Sequence, residues 1–296
     1  MKNFLIMFLL ILLVPLFLFA ADYDYKADDF SDIAKMTKKL TDNNFEKLKK
    51  WNVSKLVVVE FAGEFMQSKE VTSSVFSQRA TNTLITKTST IQLGNEYYNS
   101  VINKVYEMVQ KSFEESGFEV VPKENLTELE YYKALDLDFE KTTKGYKGSV
   151  FSDGVSTKGI KMSAEGLGLF PTSPLKAIKL MGHLADLTNA AQANGAMKIS
   201  FYIDKGKKGT PVLKSFDIIL YGDLRGQEVG FAGNKKMSYT FYKQNETIFK
   251  LKKSMENKVD ISGEEKGSVD LEKYDNALME LINSTISMMK EGLKQQ

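Results

Sequence analysis

The sequence predicts a mixed α/β (α+β) fold, in which a mixed sheet with a parallel βαβ core is packed by long amphipathic helices. Three observations carry that expectation. Leu56-Val57-Val58-Val59 is short, β-branched and apolar on both parities, as a strand covered on both faces requires. Tyr98, Ile102, Val105, Val109 and Phe113 recur at steps of three and four, with Val101 and Met108 widening the stripe, which is the period of a helix. Met197, Ile199, Phe201 and Ile203 alternate with Lys198, Ser200, Tyr202 and Asp204, which is the period of a half-buried strand.

The chain opens with Lys2, an unbroken apolar run from Phe4 to Phe19 that contains Pro15, and the small pair Ala20-Ala21 before Asp22. That order is the grammar of a cleaved secretory signal peptide, the alternative being an uncleaved membrane anchor over Phe4 to Ala21, against which Pro15, the lone flanking Lys2 and the alanine pair count. Residues 1–20 are therefore expected to be the signal, 21–54 an amino-terminal helical segment, and 55–296 a single α/β domain with polar insertions at 67–90 and 145–171. No later segment has enough consecutive apolar residues to cross a bilayer as a helix, so no stable membrane span is expected after signal cleavage. The protein is then periplasmic or secreted.

From Asp28 to Trp51 the pattern gives one or two helices around Phe30, Ile33, Leu40, Phe45 and Leu48, broken near Asp42-Asn43-Asn44. The strand at 55–60 follows. The stripe led by Tyr98 stops at Ser116-Gly117, where glycine suits the left-handed position beyond a helix end. Phe118 to Val121 then reads as a second strand, and strand, helix, strand in this order makes a right-handed crossover between parallel neighbours. Asn125 with Glu128 has the spacing of a capping box.

Ser173-Pro174 starts a further helix, with Ala177, Leu180, Leu184, Leu187 and Ala191 on its face and a left-handed stop at Asn194-Gly195. The turn at 205–209 leads from the alternating strand into Val212–Tyr221 as its antiparallel neighbour. Met237–Tyr242 and Thr247–Leu251 read as two more strands. A long closing helix starts at Asp270 and carries Leu271, Tyr274, Leu278, Leu281, Thr285 and Met288, a seam too short for a zipper and suited to packing across the sheet. The Ser/Thr-rich stretch 67–90 and the Gly/Ser-rich stretch 145–171 lack regular alternation. Surface hairpins, mobile loops and partner-binding insertions all remain open for them.

Composition excludes several classes of function. There is no cysteine, so a disulfide-stapled domain, a lipid-bearing cysteine and thiol chemistry are ruled out. Forty basic against thirty-eight acidic residues call for neither a nucleic-acid groove nor an anionic-membrane binder. His183 is the single histidine, which precludes a multi-histidine zinc site within one chain. No G-x-S-x-G elbow exposes a serine. Asp136, Asp138 and Glu140 would share one side of an extended segment, yet they lack the glycine and the terminal glutamate of a calcium loop. Gly166 and Gly168 lack the third glycine and the strand-to-helix turn of a phosphate cradle. Tyr97-Tyr98 and Tyr131-Tyr132 each place one ring on an apolar helix face and the other beside it. No catalytic, cofactor-binding or metal residue is assigned, and no cofactor is expected.

The run Val57-Val58-Val59-Glu60-Phe61, the helix ending at Ser116-Gly117, the strand Glu119-Val120-Val121, the following Asn125-Leu126, and Ala193-Asn194-Gly195-Ala196 before Met197–Ile203 together resemble bacterial envelope domains of the TolB amino-terminal and curli-secretion-channel type. The similarity covers about half of the chain beyond the signal. Pro122-Lys123 stands where that family has a Glu-Arg pair, Ala196 stands where it has an aspartate, and the secretion channel's lipid-bearing cysteine is absent. The resemblance implies a periplasmic α/β binding or assembly domain and carries over no secretion pore; with the export signal, the scarcity of catalytic residue types and the two polar insertions, the expectation is an exported, non-enzymatic bacterial envelope protein that binds a protein partner or an envelope component. The alternatives are a membrane-inserting oligomer or channel-like assembly and, from the acids at 136–140, a carboxylate-based hydrolase.

Overall fold

The computed structural model describes residues 23–76, 82–91, 93–135, 137–147, 154–171, 174–206, 209–230, 236–263 and 268–296, so the expected signal peptide lies outside the described residues. The fold is mixed α/β, with parallel and antiparallel strands in one sheet. The strand expected at 55–60 is the first part of β3 (Lys55–Phe76), a strand of 22 residues. Leu56, Val57 and Val59 are fully buried and Val58 nearly so, as their two-sided apolar pattern requires.

The lower half of β3 is flanked by parallel partners on both sides. Lys55 and Leu56 pair with β5 (Glu119–Val120), and Leu56 to Phe65 pair with β8 (Gly195–Lys205). Between β3 and β5 runs helix α3 (Asn95–Glu115), so the expected βαβ unit is present. Its stripe meets the sheet ring to ring: Phe65 stacks on Tyr98 at 4.5 Å between centroids, and Phe61 meets Tyr106 edge-on at 5.3 Å. Helix α7 (Leu271–Lys294) lies beside α3 and against β9 (Pro211–Gly230). It packs on the sheet as expected, and the Asp270 side chain caps it by accepting from the Lys273 amide at 3.1 Å. Helix α6 (Pro174–Ala190) packs instead against β8 and β10 (Lys236–Leu251).

Residues 23–54 join the same sheet and core. Their first strand, β1 (Tyr23–Asp24), pairs with β11 (Met255–Glu256), and β2 (Thr41–Asn43) pairs with β10. Met36 and Leu40 of α1 (Ile33–Leu40), with Phe45 and Leu48 of α2 (Glu46–Lys50) and its approach, are buried with the sheet's aromatics. The break expected at Asp42-Asn43 is this short strand.

Several expected boundaries move. Asn125 lies inside α4 (Lys123–Thr127), whose N-cap is Pro122, and α5 (Glu130–Lys133) follows. Proline at that position leaves the next amides free to start the turn earlier, so the capping box is not used. Gly195 does not stop α6: the left-handed residue is Gln192, at φ 54°, and Gly195 opens β8. Ser173, the expected N-cap, lies outside the described residues. The two strands read at 237–251 are one, β10.

Of the alternatives open for the two polar insertions, strand pairing is what the structure shows for their described residues. Residues 67–76 continue β3 and turn back as β4 (Asn82–Thr90), while β6 (Glu140–Lys147) and β7 (Gly154–Ser163) form a second hairpin that starts before residue 145. Both are regular β-hairpins.

Candidate functional site

Strand pairing joins the two hairpins into one ribbon. Ser68 to Phe76 pair with β4 on one side of β3, and Ala62 to Thr72 pair with β7 on the other, giving the order β6-β7-β3-β4. On the first side β4 takes over where β8 ends, since the last β3–β8 pair is Phe65 with Ile203. At 3.3 Å per residue β3 runs roughly 70 Å, so its upper part extends well past the helices. Burial follows: Phe65 and Ile160 are core residues, whereas Glu70, Val71, Ser156 and Lys158 are exposed. Among the described residues β4 and β6 each pair on one side only, which leaves two unpaired backbone edges.

Lysines face each other across two rungs of this ribbon, and at the first of them Lys161 is answered by Glu60. Lys141 stands directly opposite Lys161, and Lys144 directly opposite Lys158. Like charges so placed repel. Three residues separate the two pairs along β6, so they lie on opposite faces, and neither face carries the uninterrupted apolar alternation of a covered sheet.

At the ribbon's root sits Glu60, the first charged residue after the aliphatic run, fully buried on the central strand. A bulge between Val58 and Glu60 shifts the register against β8 there. Lys161 of β7 reaches Oε1 at 3.2 Å. Lys198 of β8 lies 2.6 Å from Oε2, an ion pair outside hydrogen-bond geometry. The Lys198 ammonium also sits 5.0 Å from the centre of the Phe170 ring. Two tyrosines close the surroundings: burial pushes the Tyr132 hydroxyl up to about 12, against the opposing Gly168 amide, and raises Tyr221, with Glu60 adding to both. Further up the same face Glu64, Ser200, Tyr202, Ser215 and Asp217 are half-buried. Burial raises Tyr202 and Asp217 there, Asp217 against the pull of Lys250.

The residues weighed from sequence for chemistry do not converge. His183 is exposed on α6 near Glu130 and Tyr131. Asp136 lies outside the described residues; Asp138 bridges backbone to backbone with Leu169, and Glu140 accepts from Asn95 Nδ2 at 3.1 Å. Among the described residues no cluster of histidine and carboxylate side chains is placed to hold a metal. Gly168 donates its amide to the Tyr132 hydroxyl at 2.7 Å and packs on Leu137 too closely to admit a Cβ, so its glycine serves packing. Tyr98 and Tyr132 are buried while Tyr97 and Tyr131 lie beside them, as their helical spacing implies. No helix among the described residues is long and apolar enough to cross a membrane.

Sequence reasoning missed the Lys161–Glu60–Lys198 cluster because its members come from three strands distant in the chain. Their one local signal is a glutamate closing an otherwise aliphatic strand. Compared with known proteins, the chain matches no family model, and no curated protein or solved structure matches it significantly.

Proposed function

We propose that this chain is an exported bacterial envelope protein that acts by binding a protein partner, without catalysing a reaction, and that the ribbon β6-β7-β3-β4 is its binding element. The ribbon itself is the observation that carries the reading. A four-stranded antiparallel sheet projecting beyond its core, with two open edges and opposed lysines, gains little for folding. Both features suit pairing with an extended segment of another chain, where backbone edges give affinity and flanking charges give selectivity. The likeness to the TolB amino-terminal and curli-secretion-channel domains and the signal-like opening support the location.

The cysteine-free sequence makes the test clean. Single cysteines at Lys144 on β6, at Thr88 on β4 and, as a control, at exposed Glu107 on α3 would carry a thiol-directed photocrosslinker in envelope fractions of the producing bacterium. A defined adduct from Lys144→Cys or Thr88→Cys and none from Glu107→Cys is the expected result. Identical adducts at all three sites, or none at any, would overturn the reading.

A second reading, a membrane-inserting oligomer, has one observation in its favour. β4, β6 and β7 are 9, 8 and 10 residues long, close to the roughly 9–11 that span a bilayer. Lysines on both faces count against it, since each at the lipid midplane costs about 2–4 kcal/mol. Release of dye from liposomes that disappears when the hairpins are removed would place this reading first.

A further inference from the structure

Where the parallel pair β3 and β8 ends, the root of the ribbon borders a cleft of about 530 Å³ together with Lys205, Gly206 and Thr210. Its size is that of a small-molecule site, and its position outside the carboxyl ends of parallel strands is where open α/β sheets take their ligands. Four ammonium groups line it, those of Lys69, Lys205, Lys214 and Lys258, together with the carboxylates of Asp24, Asp204 and Glu256.

Two of the three carboxylates have a lysine beside them and the third holds a hydroxyl, so the four lysines and three acids leave the lining with one net positive charge. Asp24 pairs with Lys258 at 2.5 Å. Asp204 accepts the Lys205 amide at 2.7 Å and has Lys214 at 3.8 Å. Glu256 accepts the Thr210 hydroxyl at 2.8 Å. Lys69 and Lys205 are left over: among the described residues neither ammonium has an acidic partner, although neither side chain is fully exposed. Burial alone lowers the Lys205 pKa, a cost that a bound anion would offset.

We propose that this cleft is an oxyanion site, in which Lys69 and Lys205 together receive one phosphate or carboxylate group. Lys69 belongs to the strand that becomes the ribbon, and Lys205 to the end of β8, so the ligand bridges the body of the sheet and the projecting element. The inference does not depend on what the ribbon's edges bind.

The test is calorimetric titration of the exported chain, at low ionic strength and pH 7, with inorganic phosphate, with succinate, and with chloride at matched ionic strength. Saturable heat with phosphate or succinate beyond that of chloride is expected, and which of the two binds assigns the group. Lys69→Met and Lys205→Met should each weaken that binding at least tenfold with an unchanged circular dichroism spectrum, while Lys104→Met on the exposed side of α3 leaves it intact. Neither anion exceeding chloride, or equal losses in all three variants, would overturn the site.

Discussion

Glu60 has no contact with water, and the two lysines that answer its charge keep theirs, with about a quarter of each side chain exposed. That asymmetry decides the effect of removing each partner. Taking away the carboxylate leaves two ammonium groups facing each other beside an apolar strand, with a partial escape to solvent. Glu60→Ala should therefore destabilise the protein by about 3 kcal/mol, the lower end for breaking a buried pair. Replacing all three together, Glu60→Leu with Lys161→Met and Lys198→Met, should recover most of the loss, because an apolar trio incurs no desolvation penalty. Equilibrium denaturation in urea measures both. A single variant as stable as the parent would show that the pair contributes nothing to the fold. If the triple variant were as unstable as the single one, volume rather than charge would be the controlling quantity at this point of the sheet.

The helices that feed the parallel strands end alike. After α2, α3 and α6 the residues Asn52, Gly117 and Gln192 take left-handed backbone, at φ 51°, 90° and 54°. In each, the following amide returns to a carbonyl five residues back: Val53 to Leu48 at 2.8 Å, Phe118 to Phe113 at 3.1 Å, and Ala193 to Thr188 at 3.0 Å. This is the Schellman arrangement, and the Phe113 and Phe118 rings supply its apolar contact. Asn194 then ties two of these exits together, its Oδ1 accepting from the Ser54 and Lys55 amides. A Cβ at Gly117 would meet nothing within 4 Å, so Gly117→Ala should cost about 1 kcal/mol from backbone strain alone. Gln192→Gly should gain about 0.5–1 kcal/mol for the mirrored reason. Thermal unfolding of the two variants checks both signs. The same comparison explains what the sequence made visible at this scale. The stop at Gly117 could be read because glycine announces the conformation. The stop at Gln192 could not, and the nearby Gly195 drew the boundary three residues too far. The core strands were legible from burial contrast, Leu56–Val59 covered on both sides and Met197–Ile203 on one. Which of the open alternatives the polar stretches take was not, because a strand exposed on both parities, such as β6, loses the alternation by which a strand is recognised.

The molecule as a whole divides by burial rather than by sequence. Below the level of Phe65 and Ile160, side chains from the helices and the lower sheet form one apolar cluster that includes the amino-terminal residues Met36 to Leu48. Above it, β3, β4, β6 and β7 hold one another by backbone pairing, and Glu70, Thr88, Lys144, Ser156 and Lys158 are exposed. Backbone pairs exposed to water open at little free-energy cost, so this ribbon should exchange its amide hydrogens well before the core does. Excision is the stronger test. Replacing residues 68–89 and 143–157 by short glycine-containing turns keeps Phe65, Ile160 and Met162, and it removes the exposed Glu70, Val71, Lys144 and Ser156. Shortening a connection changes loop-closure entropy only slowly. The shortened chain should unfold in one cooperative transition, with its midpoint within about 5 °C of the parent. Added in excess without a label, it should also fail to compete with the full-length chain for the adducts expected at the ribbon's edges. Loss of cooperative unfolding would instead make the ribbon part of the folding unit, and its opposed lysines would then have to be explained by folding rather than by binding.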